Sequence, residues 1–274
     1  MQQVTFYKMS GSGNDFIIVD NRNKVVEDAD LAKFIASVCR RKMSVGADGF
    51  ILVENSNDVD FEWRFYNSDG SVAEMCGNGA RCVARFAFVN NIAGPQMAFN
   101  TQAGVIHAQI NGDRVKIKMP DPTGLQNDCL LKLEKGSQLV SSINTGVPHV
   151  VIAVDDIEDA AVVELGREIR YHETFAPAGT NVNFVCAVKD NILAVRTYER
   201  GVENETLACG TGAVASAIVV TDKSKMESPI SILTRSGERL NIYYTEKKGV
   251  YSDIFLEGDA RIIYTAQLWE DAWK

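Results

Sequence analysis

LACGTGAVASAIVV, residues 207–220, sets a cysteine before Gly-Thr-Gly and then runs nine residues, Ala213 to Thr221, without a charge. A helix that is apolar all round must be covered on all sides. The segment therefore predicts a central helix with a curved sheet wrapped around it. EMCGNGARCVARFAF, residues 74–88, opens on the same Cys-Gly-x-Gly and again runs into a helix-like segment. Cys209 stands 133 positions after Cys76 in a chain of 274 residues.

That displacement recurs. GNDFIIVD from Gly13 lies opposite GVPHVVIAVD from Gly146, and VGADGFILV with Gly46 lies opposite AGTNVNFVCAV with Gly179. RFYNSDG from Arg64 faces RTYERG from Arg196, and NTQAG with Thr101 faces LTRSG with Thr234. Single matches are cheap, because turns favour the same few residues everywhere. Five blocks in one order at nearly one offset make the chain two copies of one unit. Pro120-Asp-Pro122 closes the first copy, giving halves at 1–119 and 120–261, with 262–274 expected to pack back on the first.

Each copy can be sketched. VTFYKM and FIIVD read as strands around a Gly-Ser-Gly-Asn turn. In DADLAKFIASVCRR, residues Leu31, Phe34, Ile35, Val38 and Cys39 fall at helical spacing, with acidic residues at the start. DGFILVE and DFEWRFYN are strands, and AFNTQAGVIHAQINGDRVKIKM is a meander with a turn at Asn111-Gly112. DIEDAAVVELGREIRYH predicts the amphipathic helix of the second copy, with Asp155-Asp156 as its cap.

A net charge of −8, with Lys and Arg numbering 28 against 36 Asp and Glu, argues against a nucleic-acid binder. The N-terminus shows no signal-peptide pattern and no stretch is long enough to span a membrane, so a cytoplasmic protein is expected. The six cysteines form no CxxC pair and there are three histidines, which leaves a zinc site little support. In a reducing compartment a special cysteine is catalytic or redox-active.

Gly-x-Gly opening a helix leaves backbone N–H groups free at the helix start, and a thiol there is shifted toward thiolate. A single such cysteine reads best as a small buried hydrophobe. Here both copies keep it, while Cys39, Cys82, Cys129 and Cys186 have no counterpart. Related halves facing each other would put the two sulfurs on opposite sides of a cleft. One thiolate and one thiol about a carbon atom can then remove a proton from one face and deliver one to the other. The free N–H groups would stabilise the negative charge that develops on an α-carboxylate. No metal or other cofactor is called for.

GSGNDF, VGADGF, RFYNSDGSVAEMCGNGARC, GTNVNFV and YERGVENETLACGTG resemble the motifs of the diaminopimelate epimerase family. The resemblance implies an α/β (α+β) fold of two pseudo-symmetric domains, each a mixed barrel-like sheet around a central helix, with the active site in the cleft between them. It implies cofactor-independent interconversion of LL- and meso-diaminopimelate on the route to lysine and peptidoglycan. By the same resemblance Cys76 and Cys209 are the acid/base thiols, and His149 and Glu199 tune their pKa. Gly77, Asn78, Gly210 and Thr211 follow the two thiols, and Asn14, Asn67, Asn181, Glu199 and Arg200 are the remaining substrate-binding positions. Arg200 suits a distal carboxylate, which a guanidinium binds bidentately. A homodimer is expected.

Two positions depart from the family pattern. Val147 stands where many members carry Asn, and Gly49 where many carry Gln; Asn144 or Asn183 is the expected substitute. His107 and His172 match no family residue and are expected at the surface. Three other readings compete. A proline-racemase-type enzyme would show MCGHG and lack the Glu199-Arg200 pair. A disulfide switch would not need the asparagines. A non-catalytic amino-acid binder would not need both cysteines. GSGNDF as a dinucleotide loop is weak, because a strand follows it and the third glycine is missing.

Overall fold

The computed structural model describes residues 4–27 and 29–274. The expectations that fall on Met1–Gln3 and on the acidic Asp28 lie outside the described residues. The chain forms two compact units, Met1–Ile117 with Gly258–Lys274, and Lys118–Glu257. The divisions expected from the sequence are 119 and 261.

In the first unit β1 (Val4–Gly11) and β2 (Asn14–Asp20) form a hairpin. Its turn residues Ser12 and Gly13 both take positive φ, the backbone twist that closes a two-residue hairpin. α1 (Leu31–Val38) buries Leu31, Ile35 and Val38 as the spacing predicts, but the Asp30 side chain makes no cap bond. β3 (Gly49–Glu54) lies parallel to β2 and antiparallel to β4 (Phe61–Asn67). α2 (Gly77–Val89) follows, then the meander β5 (Gln96–Thr101), β6 (Gly104–Asn111) and β7 (Arg114–Lys118). Side chains alternate along a strand, and the alternation sorts them between two helices. Ile17, Val19, Phe50 and Leu52 join α1 in one core. Phe16 and Ile51, from the other face, meet α2 at Gly79.

The second unit begins with the long hairpin β8 (Thr123–Leu133) and β9 (Gly136–Asn144). β10 (Pro148–Ala153) continues it, and α3 (Val162–Arg170) comes next. α3 starts later than the periodicity suggested. Asp156 accepts a hydrogen bond from the Glu158 N–H at 2.9 Å and shapes a loop, so Asp155-Asp156 do not cap the helix. β11 (Asn181–Lys189) pairs parallel with β10 and antiparallel with β12 (Ile192–Glu199), and the short β13 (Asn204–Thr206) leads into α4 (Gly210–Ser224). β14 (Ile230–Leu233), β15 (Arg239–Lys247) and β16 (Val250–Asp259) complete the wrapping. Val150, Ile152, Val182 and Phe184 pack with α3. Helix α4 touches β9, β10, β11, β12, β14 and β15, and its charge-free stretch is buried from Gly212 to Val219, while Asp222 and Lys223 fall in its last turn.

The chain returns to the first unit as β17 (Arg261–Leu268), antiparallel to β1 from Val4 opposite Leu268 to Ser10 opposite Arg261. Trp273 then packs on Phe34, and Ser44 Oγ donates to the Ala272 carbonyl at 2.7 Å. Among the described residues no helix is long and apolar enough to cross a membrane.

Candidate active site

Both motif cysteines are helix N-caps. Cys76 holds extended backbone, φ −145° and ψ 119°, ahead of α2, and Cys209 holds φ −121° and ψ 112° ahead of α4. Neither side chain makes a cap hydrogen bond. A helix built for stability has Ser, Thr, Asp or Asn there, worth roughly 1 kcal/mol. The first helical bonds run from Ala80 N–H to Cys76 C=O at 2.8 Å and from Ala213 N–H to Cys209 C=O at 2.9 Å. The N–H groups of Gly77, Asn78 and Gly79, and of Gly210, Thr211 and Gly212, therefore precede the helical ladder. Each half-buried sulfur stands at the positive end of its helix, where a thiolate is favoured.

In the first unit a chain of amides runs away from Cys76. Asn78 Nδ2 donates to Asn14 Oδ1 at 2.6 Å, and Asn14 Nδ2 donates to Asp48 Oδ2 at 3.1 Å. Asn78 Oδ1 accepts from the fully buried Arg81 at 2.9 Å, and Arg81 also reaches Ser12 Oγ at 2.7 Å. These bonds fix which end of each amide carries the N–H. Burial pushes the Asp15 carboxyl up, but bonds from Arg41 and Lys8 outweigh it and hold the group below the usual carboxylate range. Asp15 and Asp48 are joined through the Asp48 N–H to Asp15 C=O bond at 2.9 Å, which ties GSGNDF to VGADGF. Asn67 stands apart from this chain: it is exposed and gives its amide to Ser71 Oγ at 3.0 Å. Arg81 is a site residue that the sequence does not single out, since α2 carries a second arginine, Arg85, and only the fold shows that Arg81 is the fully buried one.

In the second unit Thr211 Oγ1 lies 3.5 Å from Cys209 Sγ, and the Thr211 carbonyl accepts from Thr145 Oγ1 at 3.0 Å. Asn181 holds the chain around Arg200: its Oδ1 accepts the Arg200 N–H at 2.9 Å and its Nδ2 donates to the Pro148 carbonyl at 3.2 Å. The Arg200 guanidinium rests on the Ala178 carbonyl at 3.0 Å. Burial pushes the Glu199 carboxyl above its usual value, partly offset by the Thr206 hydroxyl at 2.9 Å.

Of the two family departures, Gly49 has a packing explanation. A β-carbon at Gly49 would stand 2.6 Å from the Phe65 ring, so no Gln side chain fits. Asn183 cannot replace a substrate contact, because it is fully buried and its amide is consumed inside the unit. Asn144 turns its Oδ1 to the Gly146 N–H at 2.9 Å. His107 is exposed; His172 is half-buried, its Nε2 3.0 Å from the Lys132 carbonyl. Among the described residues no cluster of three or more His, Cys, Asp or Glu could share a metal ion.

His149 is 1% exposed, and burial, with a smaller push from the Arg200 charge, lowers its pKa to about 3 from 6.5. The native state thus stays neutral where the unfolded chain takes up a proton. Stability is whole above pH 6.5 and declines as pH falls toward 3. Between pH 6.5 and 5.5 the expected loss from this residue is about 1 kcal/mol. Urea unfolding at the two pH values measures it, and His149→Gln should remove that part of the slope. An equal slope in the variant would contradict the assignment.

The sequence profile described as diaminopimelate epimerase matches residues 6–124 and 141–263. Diaminopimelate epimerase of Aquifex aeolicus is 46% identical over 97% of this chain and 98% of its own length. That of Archaeoglobus fulgidus is 40% identical over 89% and 90%. Among solved structures, a PhzF-family phenazine biosynthesis protein of Bacillus anthracis aligns with a TM-score of 0.69 at 13% identity, over 98% of this chain and 100% of that one. A probable proline racemase of Agrobacterium radiobacter aligns at 0.67 and 13%, over 97% and 93%. At that identity the two structures share the fold and carry nothing further.

Proposed function

Because this chain belongs to the diaminopimelate epimerase family, we propose that it interconverts LL- and meso-2,6-diaminopimelate with Cys76 and Cys209 as its two acid/base groups. The observation that carries this is a cysteine at the N-cap of the central helix in both units, where neither forms a cap bond.

One sulfur, as thiolate, takes the α-proton. Charge spreads into the α-carboxylate, which the N–H groups at the starts of α2 and α4 stabilise. The other sulfur, as thiol, delivers its proton to the opposite face of the same carbon. The configuration inverts, and the two sulfurs have exchanged protonation states. Asn14 and Asn78, their amides already oriented by Asp48 and Arg81, supply neutral donors and acceptors to the substrate. Arg200 takes the distal carboxylate as a planar fork. Asn67 and Asn181 complete the contacts, Asn181 chiefly by holding Arg200. Glu199, with its carboxyl raised by burial, takes an ammonium group or buffers the neighbouring thiol, and neutral His149 adds an N–H donor.

The test is incubation of the protein alone with LL-diaminopimelate, followed by chiral chromatography. Appearance of the meso isomer until both are present is expected, with alanine and proline left unchanged. Turnover of proline instead would favour the proline-racemase-type reading. Inversion of no amino acid, together with a reversible Cys76–Cys209 disulfide, would favour a redox switch.

A further inference from the structure

Strand pairing gives the two units matching positions beneath their central helices. In the first, Ile51 pairs across with Phe65, and Phe16 lies on the neighbouring strand. Ile51 and Phe16 lie against α2 at Gly79, where a β-carbon would stand 3.4 Å from each, and the Phe16 and Phe65 rings pack edge to face at 6.1 Å. In the second, Asn183 pairs across with Thr197, and His149 lies on the neighbouring strand. The same architecture therefore stands on three apolar side chains in one copy and on an amide, a hydroxyl and an imidazole in the other. Burying polar groups stabilises nothing by itself, so the fold does not demand the polar set.

The bonds in that set have one solution. The Val150 carbonyl can only accept, so the Asn183 atom 2.9 Å from it is the NH2. Thr197 Oγ1 donates to Asn183 Oδ1 at 2.9 Å, which agrees. The second N–H of the same NH2 points at His149 Nδ1, 3.1 Å away, and that nitrogen must accept. In a neutral ring the proton is then on Nε2, a buried atom with no hydrogen-bond partner in the structure. A buried N–H left unpaired is destabilising. Gly212, in the first turn after Cys209, has no β-carbon because Asn183 Oδ1 occupies that space. The amide that sets the imidazole is thus packed against the start of the helix carrying the thiol.

We propose that Asn183 is a positioning residue that locks His149 as the Nε2–H tautomer, a pre-oriented donor for the reaction, with Thr197 holding the amide in place. The consequence for catalysis rests on the epimerase reading above; the tautomer does not.

Nitrogen-15 NMR of the folded protein at neutral pH reads the ring directly, with His149→Gln identifying the signals among three histidines. Nε2 should appear protonated and Nδ1 unprotonated. An Nδ1–H ring or an imidazolium would overturn the proposal whatever the Asn183 variant shows. Asn183→Leu, of similar size, should lose the single tautomer and lower kcat about 10–100-fold, the range seen when the hydrogen-bond partner orienting a metal-bound histidine is removed, with KM within about twofold. Thr197→Val should give a smaller shift of the same kind. An unchanged tautomer in folded Asn183→Leu overturns the positioning role. A changed tautomer with unchanged kcat leaves that role standing and overturns instead the place of His149 in the reaction.

Discussion

Alanine at either Cys76 or Cys209 is expected to reduce epimerisation about 10²–10⁴-fold, the range for loss of one proton-transfer group. Each half-reaction needs a different sulfur, so neither can substitute for the other. Serine makes the sharper variant. It is a preferred N-cap, so Cys76→Ser and Cys209→Ser should keep or raise stability, by up to about 1 kcal/mol. Its hydroxyl is too weak an acid to exchange protons as a thiol does, so activity should fall as it does with alanine. Turnover and thermal unfolding measured on the same samples separate the two effects. A single variant that keeps more than about a tenth of the activity contradicts the two-thiol account.

Arg200→Met should cost about 30- to 4,000-fold in kcat/KM, because a substrate carboxylate losing its charged, hydrogen-bonded partner forfeits roughly 2–5 kcal/mol. Arg200→Lys restores charge without the planar fork and should recover only part of this. The loss should appear with diaminopimelate and be small for an analogue lacking the far carboxylate. Equal losses with both substrates would place the role of Arg200 elsewhere. Arg200 also contributes to keeping His149 neutral, so the variant should raise the pKa of that ring as well.

The parts of the fold legible in the sequence were those with local or repeated signals. Leu31, Ile35 and Val38 announced α1 by spacing, and the charge-free run after Cys209 announced a covered helix. The cysteines stood out only because the second copy repeats the first; alone, each is a small buried thiol. Asn183 shows where the reading stopped. It was expected as a stand-in substrate contact, yet its partners His149 and Thr197 lie 34 and 14 positions away and become neighbours only through strand pairing. Arg81 is similar, since its bond to Ser12 spans 69 positions. Gly49 looked like a missing side chain, whereas the Phe65 ring fills that space. The start of α3 was misplaced because AspIleGluAspAla carries helix-compatible residues, but Asp156 closes a local turn instead.

The most direct test of the two-thiol chemistry is an incubation of LL-diaminopimelate in deuterated water, stopped early and analysed by chiral separation with mass spectrometry. A thiolate removing one proton while a solvent-equilibrated thiol delivers another predicts that each meso molecule formed carries one deuterium at the inverted carbon. The LL substrate recovered at early times should remain unlabelled, because the proton taken from one face is not returned to it from the other sulfur. Meso product free of deuterium would contradict the account, and so would recovered LL substrate labelled as fast as product forms.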